Sequence, residues 1–506
     1  MEPLKDAVQQ RDAAGLRTLL AAHAELRIGI DRPIFGADEP AIVFCRRDRA
    51  MLDVLLEFGA DINARSQFWG RTVGVLDDST PDMRAYLIGR GAVPEIDEFV
   101  EAVRAQDAAK VRTLLANTPA LRPHIDRPLF SFGGQAILAA KNNRQVAETL
   151  LEFGANINAR SDWWAGSFGV LDGTDPEQAA WLIERGAIVD IHAAAGLGMA
   201  DKVKEWLASD PSLVHAPGGD GQRPLHFAKT KEIIDLLLDH GAVINARDID
   251  HKSTAAQYKV RDTELCRHLI ARGADVDVFM AAALGDRALV ERVLEADPGC
   301  ITARIGQSGY AAVPPGHIYQ WELGANVSVL LVAANYGGQE VYDLLFRRSP
   351  IKEQFLAACR RADEANATKI LAARPNLLQQ LPGEDQAQLG EAAFAKDLPA
   401  LQLMLKLGFD VNARGDGFTP VNRAALCGYV EIVRVLIEHG ADLDIRNAYG
   451  GTALESCQWG SLNFCDRKGD YPACAETLLQ AGAKLTYPNF GSEAVQAVLR
   501  RHTARN

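Results

Sequence analysis

Between residues 430 and 439 the apolar side chains Val430, Val433, Leu436 and Ile437 share one face of a helical period, with Ile432 and Val435 beside them. So broad a stripe predicts a helix packed between neighbours on two sides. Gly440 follows its last turn, where a left-handed residue without a Cβ closes the helix, and Gly59, Gly154, Gly186, Gly241, Gly273 and Gly482 hold the same place. Thr80-Pro81 and Asp175-Pro176 predict helix starts, each putting a capping side chain before a proline at the first helical position. A second kind of helix, at 203–214, 290–298 and 370–378, runs into a proline instead and follows an Ala-rich helix such as 192–198 or 279–285.

These helices recur with a fixed spacing. Residues 55–65, LLEFGADINAR, return 95 positions later at 150–160 as LLEFGANINAR. The same offset of 95 relates Ile30-Asp-Arg-Pro33 to Ile125-Asp-Arg-Pro128 and Gly74-Val-Leu-Asp77 to Gly169-Val-Leu-Asp172. A looser copy, LLDHGAVINAR, stands at 237–247, and 407–414 and 437–444 continue the theme. Gly417 and Thr419 recur 33 residues on as Gly450 and Thr452.

The run DGFTPVNRAA at 416–425, followed by GYVEIVRVLIEHGAD at 428–442, resembles one ankyrin repeat, and Arg223-Pro-Leu-His-Phe-Ala228 is similar to that family's Thr-Pro-Leu-His-x-Ala signature, with Arg for Thr. The chain as a whole resembles long, divergent ankyrin-repeat proteins of a bacterial type. The resemblance implies an all-α fold, an ankyrin-repeat solenoid of roughly fifteen helix pairs with short β-hairpin fingers. In blocks, 1–95 and its duplicate 96–188 are followed by 189–277 and by 278–350 with a loop insertion at 303–327. Then come 351–486, with an insertion at 461–472, and a capping helix within 487–506.

Charge narrows the partners. Of 506 residues, 54 are Lys or Arg and 66 Asp or Glu, a net charge of −12 that argues against a phosphate-gripping nucleic-acid binder. No apolar run approaches the 18 or so residues of a membrane span, and the N-terminus lacks the apolar core of a secretory signal. Eight scattered cysteines without a C-x-x-C pair suggest buried thiols in a reducing cytoplasm.

No standard catalytic motif appears, and no cofactor or metal is expected. Cys457, Cys465 and Cys474, with Asp466, are spaced too widely for a zinc pattern. His226, in its Pro-Leu-His turn, is expected to tie the turn to neighbouring backbone, as the resemblance implies. Asp77 and Asp172 are candidate carboxylates, though helix capping explains them more simply. The loop tips hold more chemistry. Phe68-Trp69 and Trp163-Trp164 stand where such loops usually carry Asp and Gly; they serve either as binding anchors or as packing for an adjacent loop. His251 lies in a later loop, and the 303–327 insertion adds Tyr310, His317, Tyr319 and Trp321. Two functions follow. The first is a non-enzymatic scaffold binding an unidentified protein on a concave face of fingers and inner helices. The alternative is a small-molecule binder or an enzyme of hydrolase or isomerase type, its pocket between the insertion and the aromatic fingers. Neither nucleic acid nor membrane is an expected partner.

Overall fold

The computed structural model describes residues 1–68, 72–77, 79–464, 468–487 and 490–504. They divide into two compact units: Met1–Ala256 with Glu264–Ala274, and Gln257–Thr263 with Asp275–Asn506. Both are helical, and among the described residues β structure is confined to isolated bridges, such as Phe35 with Glu39, Phe130 with Gly134 and Arg247 with Thr254. Where the expected hairpin fingers lie among the described residues, cross-loop pairs such as Ser161 N–H to Phe168 O (2.9 Å) close the loops. None of the described helices is long and apolar enough to cross a membrane.

In the first unit the duplicated sequence makes duplicated structure. Helices Arg49–Glu57 and Arg144–Glu152 bury Leu55 and Leu150 at the same register, and Ile42 and Ile137 are likewise fully buried. One apolar cluster runs from Leu4 to Ala92 and a second from Ile96 to Ala193. The predicted helix starts are capped: Thr80 Oγ1 accepts from Met83 N–H (3.3 Å) and Asp175 Oδ1 from Gln178 N–H (2.9 Å). Gly59 and Gly154 end their helices at φ +91° each.

The repeated Asn and Arg have jobs that text similarity alone hides. Asn63 Oδ1 accepts from Val93 N–H (2.9 Å) and its Nδ2–H donates to Gly91 O (3.2 Å). Asn158 does the same to Ile188 (2.8 Å) and Gly186 (3.0 Å). Each Asn thus ties one loop to the helix end of the next pair. Arg65 and Arg160 brace their own loops through the carbonyls of Thr72 (2.7 Å) and Ser167 (2.8 Å), then reach forward to Asp97 and Asp190.

In the second unit, helix Pro420–Leu426 packs between Gln388–Phe394 and Ala453–Asn463, while the outer helix Val430–Glu438 packs on Tyr471–Gln480. Ile432, Val433 and Leu436 are buried, with Val430, Val435 and Ile437 half-buried at the edges of the stripe. The closing helix Glu493–Thr503, capped by Ser492, rests on Tyr471–Gln480. The described cysteines are buried free thiols, Cys457 and Cys474 among them; Cys465 and Asp466 lie outside the described residues.

Candidate functional site

The loops between helices of the first unit line up in a row. Gln67 N–H donates to Asp38 O (2.9 Å), Phe132 N–H to Gln67 O (2.9 Å) and Asp162 N–H to Gly133 O (3.0 Å). Further on, Ile249 and Asp250 N–H both donate to Asp220 O (2.9 and 3.1 Å). Backbone pairing of this kind satisfies the polar groups of neighbouring tips and fixes their spacing.

Aromatic side chains cover one stretch of the row. Trp163 meets Phe132 of the preceding loop edge to face, with ring centroids 5.0 Å apart, and lies 5.8 Å from Trp164. Phe168 fills the space over Gly219, where an added Cβ would come within 2.1 Å of the ring. Trp163 is half-buried by these contacts, whereas Trp164 is 65% exposed, with Phe132 and Ile249 also showing large apolar faces. Phe68 is half-buried, and Trp69 lies outside the described residues.

Beside the tryptophans, three side chains from two adjacent loops converge. His251 Nε2 stands 3.9 Å from Asp220 Oδ2 and 3.9 Å from Asp250 Oδ2. Asp248 holds the second loop in shape, its Oδ2 accepting from His251 N–H (2.8 Å) and its Oδ1 from Ser253 N–H (2.6 Å). Burial pushes the Asp220 carboxyl up to about 6; His251 and the Trp163 indole oppose the rise, and the carboxylates of Asp250 and Asp248 add to it. The raised value favours the folded state below the usual carboxylate range, and that contribution is lost as pH rises through about 6. Asp220→Asn should therefore melt progressively higher than the wild type as pH goes from 4 to 7 in scanning calorimetry. Asn suits the position, whose φ is +55°.

The other candidates have structural work. His226 Nδ1 accepts from Arg223 N–H (3.1 Å) and its Nε2–H donates to Ser253 O (3.2 Å), so the imidazole ties its turn to the next loop. Asp77 and Asp172 do not cap the following helices, whose caps are Thr80 and Asp175. Each closes its own turn, accepting from Gly74 N–H (2.7 Å) or Gly169 N–H (2.6 Å), with the loop arginine alongside.

In the second unit the 303–327 insertion is closed at its base, where Ile305 N–H donates to Val327 O (3.1 Å) and Asn326 N–H to Ile305 O (2.9 Å). His317 and Tyr319 are fully buried. Tyr319 O–H donates to Asp277 Oδ2 (3.0 Å), which also accepts from Gln257 Nε2–H (2.9 Å), while Asp277 Oδ1 caps the helix Val278–Ala283. Tyr310 is half-buried, its hydroxyl accepting from Val278 N–H (3.3 Å). Trp321 alone of the four points outward, 64% exposed. Two clefts of this unit, one beside Tyr342, Phe346 and Arg361 and one beside Leu331, Arg360 and Lys396, involve none of these four residues.

Sequence reasoning singled out His251 but passed over Asp220 and Asp250. The signal was present: the two aspartates are 30 residues apart, close to the repeat length, which sets them on successive tips.

Comparison with known proteins agrees with this architecture. The family model described as Ankyrin repeats (3 copies) matches residues 389–489, and the one described as Ankyrin repeat matches 220–249. Protein phosphatase 1 regulatory subunit 27 of mouse is 34% identical over 104 residues, 20% of this chain and 68% of that protein. Its human counterpart is 33% identical over the same length and shares. The mouse 2-5A-dependent ribonuclease is 39% identical over 71 residues, 14% of this chain and 10% of the ribonuclease. These relatives are animal proteins and lend the bacterial side of the resemblance no support. Helix pairs tied at a repeating interval, the Pro-Leu-His turn and these matches converge: the chain belongs to the ankyrin-repeat family.

Proposed function

We propose that this chain is a non-enzymatic protein-interaction scaffold whose partner docks on the loop row of the first unit. The observation that carries the reading is Trp164, a large aromatic side chain 65% exposed at a loop tip, backed by Trp163 and Phe132. A tryptophan held in place from behind and open in front is the usual anchor of a protein interface, and exposed apolar patches of this kind mark binding surfaces. A relative named as a regulatory subunit of protein phosphatase 1 supports a protein as the partner class. The finer architecture belongs to the same proposal: roughly fifteen helix pairs in the blocks set out above. The inward placement of His317 and Tyr319 supports a packing role for them and favours the scaffold over an enzyme built on the insertion.

Trp164→Ala tests the docking face. A partner captured with the wild-type chain should bind this variant at least about 30-fold more weakly, the loss of a hot-spot residue. Ile28→Ala, removing an even more solvent-facing apolar side chain outside the row, should leave binding unchanged. Equal affinity for wild type and Trp164→Ala would move the interface elsewhere.

A further inference from the structure

We infer that Asp220, Asp250 and His251 form a binding site for a divalent transition-metal ion, zinc first among them, which clasps two adjacent loops of the first unit. The inference is independent of any protein partner. One ligand atom from each residue lies within 4.8 Å of the other two, and the imidazole nitrogen is 3.9 Å from either carboxylate oxygen. A point equidistant from three atoms so arranged is about 2.5 Å from each, against ~2.0–2.2 Å for zinc bonds to nitrogen and oxygen. Closing that gap takes a few tenths of an ångström per side chain, within reach of a small χ rotation.

The donor set selects the ion. Calcium prefers six to eight oxygens, and magnesium a near-octahedral oxygen shell, whereas one imidazole with two carboxylates suits zinc and its neighbours in the first row. Three protein ligands also leave coordination positions open for water.

The surroundings supply the support that metal ligands ordinarily have. The Trp163 indole Nε1–H is sealed from solvent and faces the Asp220 carboxylate without closing a regular hydrogen bond. It comes from a third loop, and it is placed to orient a ligating carboxylate from behind. Asp248 fixes the His251 backbone, and the two hydrogen bonds to Asp220 O hold both ligand-bearing loops in register. Asp220 and Asp250 are partly withdrawn from water side by side, and each becomes harder to ionise through burial. A cation between them removes the repulsion that this placement creates.

The experiment uses the full chain, stripped with a chelator and titrated with zinc chloride in a calorimeter, with calcium and magnesium chloride in parallel. One equivalent of zinc should saturate a micromolar site and raise the melting temperature, with neither calcium nor magnesium doing so. Asp220→Asn, Asp250→Asn and His251→Gln should each weaken that equivalent at least tenfold, and Trp163→Phe by about tenfold, as a supporting residue does. Cobalt(II) absorption in the visible gives a second readout that does not depend on stability, and its d–d bands should vanish in Asp250→Asn. Unchanged zinc affinity in the three ligand variants overturns the site, as does the absence of a saturable equivalent in the wild type or a preference for calcium.

Discussion

Replacing Arg304 with methionine should cost the second unit about 3–5 kcal/mol, the penalty for leaving buried carboxylates without their counter-charge. Arg304 Nη2 lies 2.9 Å from Glu353 Oε2 and 3.2 Å from Asp385 Oδ1, and these two acidic side chains are only 3% and 2% exposed. Lys352 reaches Asp385 Oδ2 at 2.8 Å and so relieves one of them. Glu353 keeps Lys352 only at 3.7 Å once the guanidinium is gone. In a thermal melt the transition of this unit should fall by roughly 10 °C. Arg304→Lys, which keeps the charge but not the planar fork, should fall in between. A methionine variant that melts with the wild type would show that water already reaches the pair.

Gly166→Ala should be the most damaging change in the first unit. The residue has φ +147°, and a Cβ there would stand 2.0 Å from Gly218 O and 2.8 Å from Gly221 N. Backbone atoms cannot swing aside as a side-chain end can. The strained conformation and the overlap together should cost about 3 kcal/mol, or the loop should lift away from its neighbour. Lifting would draw Trp163 off Phe132, so a shift in tryptophan fluorescence should accompany the lower melting point. Gly154→Ala is the comparison: φ is +91° but nothing lies within 4 Å of the new Cβ, so only about 1 kcal/mol of backbone strain is expected. Equal losses in both variants would remove the close approach as the cause.

The helices were legible because a repeat writes the same physics several times. A glycine after LLEF or LLDH, a Thr or Asp before proline, and leucines at one register are local signals, and the structure uses them locally. The loops were less legible, because a tip has no periodicity to say which way a side chain turns. Trp163 and Trp164 are neighbours in the chain, yet Phe132, some thirty residues upstream, decides that one is covered and the other open. In the insertion, Tyr319 turns inward because Asp277, a helix cap 42 residues away, supplies the acceptor its hydroxyl needs, while Trp321 two positions later faces outward, 64% exposed. Asp220 was hidden for a different reason: an aspartate before glycine reads as turn chemistry. That reading is correct for its backbone and silent about its carboxylate.

The paired joints after residues 63–65 and 158–160 bear on how such a chain can change length. Both copies of the 95-residue block hand on to their successor through an asparagine to backbone and an arginine to an aspartate, Asp97 in one case and Asp190 in the other. The asparagine bond is the same in register at both joints, whereas the arginine finds its aspartate inside the next helix at Asp97 and at the next helix's N-cap at Asp190. A change in the number of copies would thus meet a matching asparagine tie at each joint, while the ion pair beside it would have to find its acid anew.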